Sequence, residues 1–424
     1  MSTATQPRRA LSDFDLSESD LVEVPHICED PTELNSRARK SPRIVGIDVA
    51  RGVALLGMMV VHIITDVTDE GLMPWSWRLS SGNSAALFAT LAGVGIALST
   101  GRRNPPRGRG LVAAMGSLVV RAILIGVIGL ALGVVVPTDL ANVILPYYAV
   151  LFVLAIPFLR VPAPLLGALS LIVAIAVPFW SHAARMTLPV VEPTNHTFAS
   201  LMANPGQTFT QLMLTGVYPA VAWMSYVLAG MAIGRLNIRR WVALSLMLGG
   251  TLVALLTAGA NWVLMDALGG RQALADVAAR TMPLDDFTSL LVWGAGGTLP
   301  TDSLWWLGVL APHTSTPFDL LFTLGVACGV LGACMMIGVV MPKAVRPLAL
   351  MGSMPLTMYS LHLVMVASQV WLLNFEWLGY AVQVVLLLGF AFLWSRKFQR
   401  GPLEGLVNVG AKATKSLIMG SKQR

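Results

Sequence analysis

Ionisable side chains are scarce in this sequence, and one stretch concentrates them: Arg43-Ile-Val-Gly-Ile-Asp48-Val-Ala-Arg51-Gly-Val-Ala-Leu-Leu-Gly-Met-Met-Val-Val-His62. Its background is apolar enough for a membrane span, where a charge costs a few kcal/mol and marks a partner or a function. Asp48 and Arg51 are three residues apart, so they share a helical face and can neutralise each other; that ion pair is also a sufficient structural role for both. His62 follows Arg51 by eleven residues. Eleven steps of about 100° return to within ~20° of the same face, with a rise of ~16 Å. One stripe therefore carries a guanidinium towards one membrane face and an imidazole towards the other. An imidazole titrates near neutral pH and can take a proton from a nucleophile, although a histidine in a span also serves as hydrogen-bonded packing. The candidate catalytic residues are His62 and Asp48, the latter through its hold on Arg51. Candidate anion-binding residues are Arg43, Arg51, Arg102 and Arg103, the last two from a basic loop at 102–109.

The elements that must position them are membrane helices. Hydrophobic residues make up 55% of the 424, charged residues 12%, and mean hydropathy is +0.70. Ordinary globular domains carry roughly 25% charged residues, so a soluble enzyme, a disordered scaffold and a nucleic-acid binder are excluded. Apolar runs long enough to span give ten helices at 44–65, 84–101, 112–136, 143–160, 163–180, 212–234, 241–262, 318–341, 348–372 and 377–395. The fold expected is all-α and polytopic, with a transmembrane domain over 43–400. Residues 1–42, with eight acids and then a basic cluster, read as a disordered tail, and 401–424 as a basic tail.

Basic residues decide the orientation. With a cytoplasmic N-terminus, 23 of the 29 Lys and Arg fall inside, and only Arg78, Arg185, Arg271 and Arg280 outside. The positive-inside rule then places both termini in the cytoplasm and the protein in the plasma membrane. The long connections 66–83, 181–211 and 263–317 are external. The third contains apolar pieces and Trp305 and Trp306, so it should hold interfacial helices with tryptophan anchors. The span at 84–101 is rich in small residues, which permits close helix packing and by itself accounts for Gly93 and Gly95.

Further candidates lie outside the first span. Arg78, one of few external basic groups, suits an anionic or sugar ligand, and Asn83 either joins it or caps the next helix. Tyr359 and His362 are three residues apart and can share a hydrogen-bond network or simply pack. His313 sits among prolines, equally suited to ligand binding and to a loop role. Asn195-His-Thr is a formal glycosylation sequon of a length that arises by chance. Three cysteines are too few for a disulfide framework, and no metal cluster is visible.

The pattern R-x-x-x-I-D-x-x-R-G-x-A-x-L-G-x-x-x-V-H, as it stands at 43–62, resembles the first helix of the transmembrane acyltransferase group. That group includes heparan-α-glucosaminide N-acetyltransferase and the YeiB-like bacterial membrane proteins. The stretch Pro312-His-Thr-Ser-Thr-Pro317-Phe-Asp319 is similar to an element of actinobacterial YeiB-like members. Met351-Gly-Ser-Met-Pro-Leu-Thr-Met-Tyr359-Ser-Leu-His362, with Gly401-Pro402-Leu403-Glu404 further on, resembles their C-terminal region. The resemblance implies an acyl-CoA donor, acetyl-CoA first among them, on the cytoplasmic side. It also implies an envelope sugar, glycolipid or polysaccharide acceptor outside, with His62 as base or transient acyl carrier. In the eukaryotic acetyltransferase the catalytic histidine lies in the loop after the first helix; this sequence has none between His62 and His182. A lipid or glycolipid exporter without covalent chemistry is the competing class, since intramembrane charges also line translocation paths. An assembly partner for envelope enzymes, using the acidic tail, is a third. Small-residue faces would allow a homodimer.

Overall fold

The computed structural model describes residues 44–68, 70–296, 298–368 and 375–420; the acidic tail and Arg43 lie outside the described residues. With no water in hydrocarbon to satisfy the backbone, each crossing segment must bond to itself, and no strand occurs among the described residues. The first half contains α1 (Val45–Ile63), α2 (Trp75–Ser80), α3 (Asn83–Ser99), α4 (Arg109–Val135), α5 (Leu145–Leu154) and α6 (Ala163–Arg185). Short α7 (Phe198–Ala203) and α8 (Pro205–Thr210) lead into α9 (Ala220–Arg235), α10 (Arg240–Trp262), α11 (Gly270–Ala278) and α12 (Leu284–Trp293). Then come α13 (Pro317–Val340), α14 (Arg346–Gly352), α15 (Pro355–Ala367), α16 (Glu376–Lys397) and α17 (Pro402–Met419).

Seven of the described helices are long and apolar enough to cross a membrane, or up to nine if each of two bent pairs is one crossing. The departures from ten unbroken spans occur at prolines, which lack an N–H donor and clash with the preceding turn. The expected span 143–160 is the short α5 followed by a 3-10 turn that contains Pro157. Ten helical residues rise only ~15 Å, about half a hydrocarbon core. The segment ending in α9 bends by 52° just before Ala220, where Pro219 stands, and α14 meets α15 at 85°, where Pro355 stands.

The spans fall into two kinds. Those at α1, at Trp75–Ser99 and at α13 are 67, 72 and 56% buried, whereas α4, α6, the α10 segment and α16 are each 22% buried. The first group, with the almost wholly buried α9, forms an inner cluster; the second turns most of its surface outward. Close approach inside the cluster depends on glycine. Gly93 of α3 lies against the Val227 carbonyl of α9, and Gly230 of α9 against the Thr90 carbonyl of α3, so neither helix has room for a Cβ there. The glycines of the first span divide the work between three neighbours: Gly46 rests on Met335 of α13, Gly52 on Leu348 of α14, and Gly57 on Ser84 of α3.

Two outer regions are more structured than the sequence suggests. Residues 263–311 contain the expected short helices, but they build a core of their own around Met265, Leu274, Phe287 and Trp306. Trp306 is wholly buried and its indole N–H donates to Asp302 at 2.6 Å, which makes it a core residue and not an interfacial anchor. The C-terminal segment is a helix over Pro402–Met419 that lies along α4. The sequon residue Asn195 is a structural lock: its amide donates to the carbonyls of Val136 and Ala141 at 2.9 and 2.8 Å and accepts from the Val143 N–H at 2.8 Å.

Candidate functional site

His62 stands in the last turn of α1, and its partner comes from far along the chain. His62 Nδ1 lies 3.0 Å from His362 Nε2 on α15. The two ring planes are within 14° of parallel with centroids 5.3 Å apart, the geometry of two imidazoles joined edge to edge. His362 Nδ1 lies 2.8 Å from Gln383 Oε1 on α16, and both His362 and Gln383 are buried. His62 itself is half-buried and lines a cavity of about 550 Å³ together with Asp66, Trp77, Tyr218, His313 and Glu376. Two links close the top of this end. The Trp77 indole N–H donates to the Ile64 carbonyl at 2.8 Å, and Glu376 accepts from the Thr65 N–H at 2.7 Å and from the Thr65 hydroxyl.

His313 reaches the same cavity from the loop before α13. Its backbone is left-handed, with φ +58°, and so is that of Ser315, with φ +51°; such conformations in non-glycine residues persist only where the surroundings impose them. Here the imposing groups are visible. Asp319 accepts from the Ser315 N–H at 2.8 Å, the Thr316 hydroxyl donates to the Val309 carbonyl at 2.7 Å, and Thr316 Oγ1 accepts from the Asp319 N–H at 3.1 Å. Gly294, with φ +81°, admits the Pro312 carbonyl. The result aligns the His313 ring with Trp223 (6.3 Å, 10°) and sets it edge-on to Tyr218 (5.2 Å). Burial pushes the His313 imidazole down to about 4, so it is neutral at pH 7, and its Nδ1 has no partner among the described residues. The motif at 312–319 is thus a device for presenting one imidazole.

The other end of α1 is built differently. Arg51 Nη1 lies 2.8 Å from Asp48 Oδ1, the ion pair expected from spacing. Arg51 lines a second cavity, of about 320 Å³, with Arg121, Tyr148, Ser353, Tyr359 and Glu404. Gly95 lies 3.6 Å, measured from the Cβ it lacks, from Arg51 Nη2 and helps shape that cavity. Glu404 accepts from the backbone N–H groups of Leu356 and Thr357 at 2.7 and 3.1 Å and from the Thr357 hydroxyl at 2.6 Å, which satisfies the open N-terminus of α15. The Tyr148 hydroxyl is buried without a partner among the described residues, an arrangement that favours a polar ligand in the cavity. Tyr359 also lines a small void beside His62, His313, Ser84 and Tyr218, and its hydroxyl accepts from the Ile144 N–H at 3.2 Å. A single buried tyrosine therefore borders the Arg51 cavity on one side and the His62 void on the other.

Of the candidates, the structure brings His62, His313, His362 and Tyr359 together and puts Arg51 and Asp48 at the second cavity. Arg78 is exposed on α2 and lines neither cavity. Asn83 donates to the carbonyls of Arg78 and Leu79 at 3.4 and 3.3 Å, closing the end of α2. Arg102 and Arg103 follow α3 outside the wall of the Arg51 cavity, and Arg43 lies outside the described residues. Gln383, Arg121, Tyr218 and Glu376 were not among the sequence candidates, and Glu404 entered only as part of the C-terminal motif. Gln383 and Arg121 carried a signal, as polar side chains in otherwise apolar spans. No group of three or more His, Cys, Asp or Glu side chains that could hold a metal occurs among the described residues.

Comparison with protein families matches residues 43–269, just over half of the chain, to the family described as heparan-alpha-glucosaminide N-acetyltransferase, catalytic. The matched stretch contains Asp48, Arg51 and His62, while His313, Tyr359, His362 and Gln383 come from beyond it. No curated protein matches the chain.

Proposed function

This chain belongs to the heparan-α-glucosaminide N-acetyltransferase catalytic family, and from that premise we propose that it transfers an acetyl group across the plasma membrane. The donor is cytoplasmic acetyl-CoA and the acceptor an amine or hydroxyl of an envelope sugar or glycolipid. The observation that carries this reading is Tyr359, which borders both the Arg51 cavity and the His62 void. Two reactants can then be held on opposite sides of the membrane and still meet near one residue, which is the positioning a transfer between compartments needs.

Arg51, with Arg121, suits the phosphates of the donor through charge-assisted hydrogen bonds. Asp48 holds the Arg51 fork in place. The bias of basic residues supports a cytoplasmic setting for this end. At the other end His62 acts as the general base. The acceptor nitrogen or oxygen attacks the thioester carbonyl carbon and its proton passes to His62. The new C–N or C–O bond forms as the C–S bond breaks, and the departing CoA thiolate is protonated in turn. A weak nucleophile needs such an adjacent base. His313, neutral and presented over the same cavity, suits a hydrogen bond to the acceptor.

Protein reconstituted in liposomes with radiolabelled acetyl-CoA inside and an amino sugar outside tests the reading. Label is expected on the sugar, with CoA released inside, and His62→Ala is expected to stop this while still binding donor. Unchanged transfer in that variant would falsify the role of His62. Movement of an intact glycolipid without CoA release would identify an exporter instead.

A further inference from the structure

We infer that Gln383 is a positioning residue that sets the tautomers of two histidines, so that His62 offers an unprotonated Nε2 to the cavity. The inference rests on the acetyl-transfer reading of the same site. A neutral imidazole carries one proton, and which nitrogen holds it is fixed by the bond the other makes. Gln383 turns its carbonyl oxygen to His362 at 2.8 Å, and an oxygen can only accept. His362 must therefore keep its proton on Nδ1, which leaves Nε2 as a lone pair. That lone pair meets His62 Nδ1 at 3.0 Å, so His62 in turn holds its proton on Nδ1 and donates it. His62 Nε2 is left unprotonated, and no hydrogen bond occupies it among the described residues.

Reversing the amide reverses the chain. A Gln383 N–H facing His362 would place both histidine protons on Nε2, and His62 could not accept one. The three side chains come from three helices, α16, α15 and α1; His362 and Gln383 are sealed from solvent, and the Gln383 amide nitrogen has no partner among the described residues, so its bond to His362 is what orients the amide. During transfer the acceptor proton lands on His62 Nε2, the Nδ1–H bond to His362 is kept, and no proton leaves His362. The logic is that of an oriented base in a hydrolase triad, with a neutral amide in the orienting place.

The test uses the full chain labelled with 15N-histidine in liposomes, with His62→Gln and His362→Gln to assign signals. Solid-state NMR is expected to find His62 and His362 both protonated at Nδ1 and bare at Nε2. Gln383→Leu, which removes the acceptor at similar volume, is expected to mix the tautomers and lower kcat about 100-fold, with the KM for acetyl-CoA unchanged. A wild-type His62 protonated at Nε2, or a folded Gln383→Leu protein with wild-type kcat, overturns the assignment. If the variant does not fold, the wild-type spectrum still decides. Wild-type protein with these tautomers but no acetyl transfer supports the assignment and overturns the activity on which it was built.

Discussion

The two ends of α1 meet one problem, a polar side chain in apolar surroundings, by opposite means. Arg51 finds its partner Asp48 three residues away in the same helix. His62 finds His362 at a separation of 300 residues. A local pair needs only its own helix, so the Asp48–Arg51 pair can form before the rest of the bundle has closed, although the cavity beside it cannot. The His62 end exists only once α15 and α16 have packed against α1. The ion pair is settled locally, and the histidine pair globally.

The contrast can be broken most directly by kinetics. His62→Ala is expected to lower kcat by about 10³-fold, within the range for a general base, with little effect on donor binding. Arg51→Lys keeps the charge but loses the planar fork, and is expected to raise the KM for acetyl-CoA about 10-fold with kcat nearly intact, as removing one charge-assisted bond would. If both variants changed the same constant, the division of labour between the two ends would be wrong.

Acid should undo the His62 end. Burial pushes His313 down to about 4 from an ordinary 6.5. Between those values the unfolded chain binds the proton and the folded one does not, so stability falls as pH drops from about 6.5 towards 4. Thermal unfolding in detergent across that window is expected to show the decline. His313→Asn, whose side chain tolerates a left-handed backbone, should flatten part of it.

Two smaller effects sharpen the picture at the Arg51 end. Gly352 sits where a Cβ would meet the Asp48 carbonyl. Gly352→Ala is therefore expected to cost about 1–3 kcal/mol by overpacking, whereas Gly389→Ala, with nothing within 4 Å of the added carbon, should be neutral or mildly stabilising. Both are read from melting temperatures. Glu404→Ala removes the cap of α15 and is expected to cost about 1 kcal/mol, together with a modest rise in donor KM; an unchanged melting temperature would show that water caps that helix equally well.

These differences also explain what the sequence could reveal. Hydropathy found the apolar segments because span length follows from bilayer thickness, and spacing found Asp48–Arg51 because both belong to one helix. The breaks at Pro157, Pro219 and Pro355 were written in the sequence but masked by averaging over apolar windows. The pairing of His62 with His362, and of His362 with Gln383, has no local trace, since it depends on how α15 and α16 pack against α1. The backbone that presents His313 was likewise unreadable: its left-handed turn is imposed by Asp319, Thr316 and Gly294 together. Arg78 and Asn83 drew interest by residue type, yet one is exposed on a short helix and the other closes that helix.

Tyr359 has one more consequence. If the two cavities serve opposite faces, as the proposed transfer requires, they thin the hydrocarbon between two aqueous compartments, where a membrane potential of 100 mV works on an ion with about 2.3 kcal/mol. Where they come nearest, what stands between them is a phenol ring tethered to the Ile144 backbone at 3.2 Å. On the proposed transfer, that ring would be the insulation, and an acetyl group handed from one side to the other would have to pass it without letting protons follow.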